Sequence, residues 1–410
     1  MQIYSHLEFG PILRSLNRHK FSSLLVILQM AVAMAIMTNG IFIAAERYQL
    51  VQRHSGMDEE NSFYVTSSGF TDNFNPRVSI EQDLALIRNM PGVINAVQTN
   101  SLPLSGSGKW FNLQIESGTE EQKIQTAGYK FDQHGIQTFD LELLAGENFA
   151  AHDVLWQDPS DNSWPAKIML TKATAQALFG KQDWISAIGK TIYVDGSIPL
   201  VVTALVDHLQ GPWIESEFVN NVMISPVRVT HTSARYVIRS ESERRDELMK
   251  EVESALVNSN KQRMVRKLRS LEASKLEIYA ADFATVSILL IVVVVLTLVA
   301  AMGIAGLASF NINKRKRQIG VRRALGASRG DILRYFLLEN FLLSGLGVLL
   351  GSVLAVSLNM FLVNFYGITP LSWFYIPAAL ITLLLIGQLA VFLPACKAAS
   401  ISPAMAVRAV

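Results

Sequence analysis

The sequence predicts an α-helical membrane protein with four transmembrane helices and a large α/β extracytoplasmic domain inserted between the first and the second. Three observations carry that class. Half of the residues are hydrophobic and only 17% are charged, a balance too apolar for an ordinary soluble domain of 410 residues. Four apolar runs are each long enough to cross a bilayer. The one long polar segment, 46–282, contains no spanning run and alternates strand and helix patterns instead.

Residues 1–20 read as a cytoplasmic amphipathic lead-in, with Arg14, Arg18 and Lys20 placed just before the first transmembrane helix, 21–45. That apolar run exceeds the roughly 7–15 residues of a signal-peptide core, so it is read as a span with its N-terminus inside. Within 46–282 a strand is predicted at 61–67 and a helix at 79–90, capped by Ser79 and stopped by Pro91-Gly92, with Ile80, Leu84, Ile87 and Met90 on one side. A second strand follows at 93–97. Strand signals then dominate at 111–116, 124–131 and 168–171, and in a hairpin of 191–194 with 199–205 turning at Asp195-Gly196. One short helix, 172–179, ends at Gly180. A strand at 235–239 and a helix from Glu243 to about Val257, capped by Ser242, lead to an amphipathic stretch, Met264 to Tyr279. That stretch is expected to run continuously into the membrane as a rigid stalk.

The second span is 283–313 and the third 335–365; the outer loop 366–372, with Gly367 and Pro370, carries no charge. The fourth span, 373–396, starts with Trp373, Phe374 and Tyr375 as interface aromatics, and the tail 397–410 lies inside. Between the second and third spans, 314–334 carries Lys314, Arg315, Lys316, Arg317, Arg322, Arg323, Arg329 and Arg334. So many cations in so short a loop mark a cytoplasmic face. Ile319 to Leu325 reads as a short helix, Gly326-Ala327-Ser328 as a break with Ser328 as N-cap, and Asp331 to Leu338 as a second helix entering the membrane.

Net charge is +2, with the cations concentrated in short loops, so the basicity is topological and no nucleic-acid partner is expected. Cys396 is the single cysteine, which excludes an intramolecular disulfide and a cysteine-based zinc site. The seven histidines are scattered without an HExxH, and no GxSxG occurs, so neither metal nor catalytic residues are assigned. Ser105 to Trp110 imitates a phosphate-binding loop, but Pro103 stands where that loop requires its first Gly and Trp110 where it requires Ser or Thr. The chain is therefore read as non-catalytic and without a cofactor. Glu339 sits at a membrane boundary and is read as pairing with Arg334 or Arg323 rather than as a proton or substrate group. Gly347 and Gly351 form a GxxxG that allows close helix packing, within one subunit or between two.

The ordered string KRKRQIGVRRALGAS, followed by a helix rising into the membrane, resembles the signature of the MacB/FtsX-like family of ABC transporter permeases: a basic cluster, EIGILRALGAS, then a span. LEFGPILRSLNRHKFSSLL resembles that family's lead-in, and LELLAGENF, ATAQALFG and AIGKTI resemble recurrent phrases of its extracytoplasmic core domain. The tail PACKAASISPAMAVRAV is similar to the family's ending, with Ser402 where an acidic residue is usual. The resemblance implies a two-lobed domain, a membrane-near α/β lobe from 46–100 plus 227–282 and a β-rich distal lobe from 101–226. It also implies that Gly320, Val321, Arg322, Arg323, Ala324, Leu325, Gly326, Ala327 and Ser328 form a coupling helix that docks on a separate cytoplasmic ABC ATPase, which binds the ATP and Mg. Val321, Ala324 and Leu325 would be its apolar side, and Arg322 or Arg323 would reach acidic groups on the ATPase. The implied role is mechanotransmission in the inner membrane, for export of peptides, antibiotics, toxins or similar substrates. Implied partners are a second permease chain, identical or not, the lipid bilayer, and a periplasmic adaptor with an outer-membrane channel. The family also contains FtsX-like regulators of cell-wall hydrolases and LolC/LolE-like lipoprotein-extracting subunits, and these stay open as alternatives.

Overall fold

The computed structural model describes residues 20–118, 123–161 and 163–401; the expected lead-in before Lys20, and Ser402 with the rest of the tail, lie outside them. The described chain divides into two compact units, one of residues up to 52 together with those from 281 onward, the other of 53–280.

The first unit contains four helices long and apolar enough to cross a membrane. They are α1 (Lys20–Val51), a helix Ala280–Lys314, a helix Arg329–Tyr366 and a helix Tyr375–Ala399. Their facing sides share a core of Met30, Met34, Ala300, Ile304, Leu343, Val348 and Leu383, while Leu290, Leu298, Leu350 and Leu389 stay exposed. A bilayer accepts such outward apolar faces, and each helix satisfies its own backbone hydrogen bonds, so the β-branched run Val292 to Val295 remains helical. The third span is one uninterrupted helix from Arg329, so the short segment expected at Asp331 to Leu338 is simply its first turns.

In the second unit, β1 (Ser62–Gly69) is followed by α2 (Pro76–Arg88) and β2 (Val93–Gln98). α2 starts earlier than Ser79. Pro76 lacks an N–H and has φ fixed for a first turn, and the Asn75 side chain accepts from Val78 N, so Asn75 is the cap. The middle of the unit supplies β3 (Lys109–Gln114), β4 (Ile124–Lys130), α3 (Gly135–Phe139), β5 (Leu143–Gly146), β6 (Leu155–Gln157) and β7 (Lys167–Thr171). It continues with α4 (Lys172–Phe179), β8 (Thr191–Val194), β9 (Ile198–Val206), β10 (Val222–Ser225) and β11 (Val227–Val229). The β8–β9 hairpin turns at Asp195 (φ 46°) and Gly196 (φ 83°), the left-handed pair that matches strand twist.

β12 (Ser233–Ser240), α5 (Arg245–Ser259), β13 (Arg263–Ser270) and α6 (Leu271–Ile278) complete it, and α7, α8, α9 and α10 are then Ala280–Lys314, Lys316–Ala324, Arg329–Tyr366 and Tyr375–Ala399. Two expectations are corrected here. Ser242 does not cap α5: Glu243 takes φ 67° and the helix begins after Arg244, with no side-chain cap. Met264 to Tyr279 is not one continuous stalk, because its first half is β13, paired antiparallel with β1 from Phe63↔Ser270 to Gly69↔Arg263. A bulge around Lys267 (φ 50°) breaks the two-residue alternation there, which hid the strand from a periodicity reading.

The sheet order β13-β1-β12-β2 is antiparallel throughout and draws its strands from both ends of the segment. α2 and α5 pack against it through Ile80, Leu84, Leu248 and Val252 onto Phe63, Val65 and Ile238. The other large sheet runs β5-β9-β7-β10-β4-β3-β8, and a further β8–β9 pairing closes six of its strands into a ring around Leu113, Ile168, Leu170, Ile192 and Val202. Closure covers the free edge of β8 and leaves β5 as the edge strand. Met57, Val97, Tyr129, Phe131, Phe139 and Ile224 form a third core connecting the two sheets. Asp132, fully buried, accepts there from Arg88 Nη2 at 3.4 Å and from Arg228 Nε at 2.9 Å.

Candidate functional site

The basic loop folds as α8, a turn and the start of α9. Inside α8, Ile319 and Gly320 are buried, whereas Val321, Arg322 and Ala324 face outward. Leu325 is the C-cap and is 83% exposed. The helix ends in a Schellman motif: Gly326 N donates to Arg323 O at 3.2 Å and Ala327 N to Arg322 O at 3.1 Å. Gly326 takes φ 101°, where a β-carbon is strained, and this is why the glycine is there. Ala327 turns back onto the helix core.

The next residue starts the following helix. Ser328 Oγ accepts from Asp331 N at 3.1 Å, and Asp331 Oδ2 accepts from Ser328 N at 2.9 Å, a complete capping box. A C-cap and an N-cap therefore stand back to back across Gly326-Ala327-Ser328. The orphan groups of both helix ends are satisfied locally, and the turn is fixed.

Three arginines fasten this segment to the helices around it. Arg315 Nη1 reaches both carboxylate oxygens of Glu339 at 3.0 Å, with both side chains nearly buried. This corrects the expected pairing of Glu339 with Arg334 or Arg323. Arg323 Nη1 instead donates to Ala399 O at 2.8 Å, at the C-terminal end of α10, where carbonyls are unsatisfied and the helix dipole favours a cation. Arg322 lies over the Tyr335 ring, 4.9 Å from its centroid. Gly320 is thus internal and Arg323 is committed within the chain, leaving Val321, Arg322, Ala324 and Leu325 to the outside.

Gly347 and Gly351 sit where α9 crosses α1. A β-carbon at Gly347 would lie 2.6 Å from Met30 Cβ, and one at Gly351 would lie 2.5 Å from Met34 Cβ and 2.7 Å from Ala31 O. The GxxxG contact therefore lies within one chain, between the first and third spans. Polar side chains inside the bundle went unread in the sequence. Asn39 Nδ2 donates to Ala355 O, and Asn340 Nδ2 to Gly387 O, both at 3.0 Å across helices. Their signal was available: an amide within a span needs a partner. In the other unit Lys109, where a phosphate loop would open a helix, begins β3. Among the described residues no group of His, Cys, Asp or Glu is placed to hold a metal ion.

The MacB-like periplasmic core domain family matches residues 23–257, and the FtsX-like permease C-terminal family matches 290–403. The chain belongs to the MacB/FtsX-like permease family. The two matched regions carry the core domain and the last three spans of a multi-pass membrane protein, and neither is an ATP-binding domain. The macrolide export ATP-binding/permease protein MacB of Wolinella succinogenes is 26% identical over 268 residues, 62% of this chain and 40% of that protein. The protein of the same name from Marinobacter nauticus is 25% identical over 412 residues, 96% of this chain and 59% of that one. The chain thus spans about half the length of these relatives. Among solved structures, the periplasmic region of MacB from Actinobacillus actinomycetemcomitans is 13% identical, covers 56% of this chain and 97% of that one, and has a TM-score of 0.35.

Proposed function

We propose that this permease is the membrane subunit through which an ABC ATPase on another chain drives movement of the extracytoplasmic core domain, with export of peptides, antibiotics, toxins or similar compounds as the outcome. ATP and Mg are bound by that ATPase, and the working unit contains a second permease chain. The observation that carries this reading is the construction of α8. A short helix transmits force only if its ends are fixed and its contact surface is packed. Its ends are fixed by Arg315–Glu339, Arg323–Ala399 and the paired caps, while Val321 and Leu325 remain 47% and 83% exposed. Burying two such side chains in a partner's groove contributes on the order of 1.5–3 kcal/mol each. Arg322, outside and unattached to any carboxylate among the described residues, supplies the charge for an acidic rim on that groove.

Leu325→Asp places a charge in the packed contact. Its expected effect is loss of ATPase co-purification by tenfold or more, with membrane insertion unchanged. Arg322→Glu should weaken the contact too, and a charge reversal on the ATPase should restore part of it. If Leu325→Asp neither weakens ATPase association nor uncouples hydrolysis from export, α8 is only a topological anchor and the proposal fails.

A further inference from the structure

The loop that imitates a phosphate site has another feature. Residues Leu102 to Ser107 line one side of a cavity of about 500 Å³, whose other walls come from Tyr64, β12, β13 and α6. Leu102, Leu104 and Leu271 back the wall and are themselves buried, so its open apolar surface comes from Tyr64 and Ile278, and Ser105 and Ser107 border it with hydroxyls. Leu104 holds φ 61° and Gly106 φ 63°, the first an unusual conformation for a bulky side chain. The loop is locked in this shape by Ser101 Oγ to Ser107 O at 2.7 Å, Ser105 Oγ to Leu102 O at 2.8 Å and Gly106 N to Pro212 O at 2.9 Å.

The cavity is cationic. Arg235, Lys267 and Arg269 line it, with Glu277 as the acid. Arg269 is already paired with Glu277. Arg235 pairs with no carboxylate among the described residues: its Nε and Nη1 are buried without hydrogen-bond partners, and its guanidinium lies 5.9 Å from the Tyr64 ring centroid. Burial draws its pKa down, against the pull of Tyr64 and Tyr129. A buried donor left unbonded costs about 1–3 kcal/mol, more when charged, and native proteins keep few of them. An anion beside the guanidinium supplies the counter-charge that the described residues do not. Lys267, turned at the β13 bulge, supplies a second cation without a carboxylate partner among the described residues.

We propose that this cavity is a binding site for a carboxylate carried on a short apolar stem, the carboxylate pairing with Arg235 and Lys267 and the stem lying against Tyr64 and Ile278. The open apolar faces of Tyr64 and Ile278 beside the cations suit an anion with an apolar body better than free phosphate. The free C-terminus of an apolar peptide and a short fatty acid share this chemistry. The site stands independently of how α8 is used.

The test is calorimetric titration of the full chain in lipid nanodiscs with N-acetyl-Leu-Leu-Leu as free acid and as C-terminal amide, and with octanoate and inorganic phosphate as competitors. The free acid should bind saturably, with the amide at least tenfold weaker. Arg235→Gln should weaken the acid at least tenfold. Ser107→Trp, on the exposed loop where the fold is not at risk, should do the same by filling the cavity mouth. Competition by octanoate extends the site to acyl chains, and its failure confines it to peptides; both support the assignment. It is overturned if no saturable binding occurs up to millimolar acid, if amide and acid bind alike, if Ser107→Trp binds as well as the parent, or if phosphate competes as well as the peptide.

Discussion

At the scale of single residues, the pair Arg315–Glu339 shows why an ionic group tolerates a membrane boundary. Both side chains are about nine-tenths buried, and Arg315 Nη1 shared between both carboxylate oxygens at 3.0 Å supplies each charge with a counter-ion. Removing either residue takes this counter-ion from a buried charge, which costs about 3 kcal/mol, whereas removing both costs far less. Glu339→Gln and Arg315→Gln should therefore each lower the melting temperature of the purified chain, and the double variant should recover more than half of the loss. Strictly additive losses would show that the two residues act separately. The sequence placed Glu339 at the boundary and offered Arg334, along its own helix, or Arg323 as its partner. Arg315 is 24 positions away and reaches Glu339 only because the chain turns between α7 and α9.

At the scale of elements, the contact between α1 and α9 rests on two glycines with no room for a side chain. Gly351→Leu forces Met34 and the Ala31 carbonyl aside, and overpacking of this kind costs about 3 kcal/mol. A marked drop in melting temperature is expected. Gly345→Ala is the control, since a β-carbon there meets nothing within 4 Å. Equal behaviour of the two variants would remove the packing role assigned to the GxxxG. The motif was legible as a spacing of small residues; its partner was not, because either a second copy or any of the other spans could have filled the groove. Elements with local signals were read nearly to the residue, as with α4 between Thr171 and Gly180 and the β8–β9 hairpin. β13 was missed because its bulge at Lys267 interrupts the alternation on which strand reading depends.

At the scale of the whole molecule, charge predicts the orientation. By the positive-inside rule the cations of 314–334 should hold that loop inside, and the uncharged 366–372 carries nothing that would retain it there. Reporter fusions at Gly196 and at Gly326 should accordingly give opposite compartment signals, the first outside and the second inside. The same signal from both would mean that the segment between α1 and α7 does not cross.

The sequence alone determined the class of this protein. Span length, span number, the cation-rich loop and the ordered IGVRRALGAS string are local properties of the chain, and they set the four helices, the large inserted α/β domain and the family. The caps at Ser328 and Gly326 were likewise legible, since capping joins residues only a few positions apart. What the tertiary structure decided is everything that depends on which distant residues meet. Arg323, expected to reach a partner, is bound to Ala399 at the end of the last helix. Six strands close into a ring through β8, which no single strand pattern encodes. Arg235, an unremarked strand residue, lies beside Leu102, Leu104 and Lys267 from far along the chain. Periodicity and capping are short-range and survive in one dimension. Charge pairing, helix crossing and cavity formation arise only when segments far apart in sequence share a few ångströms of space.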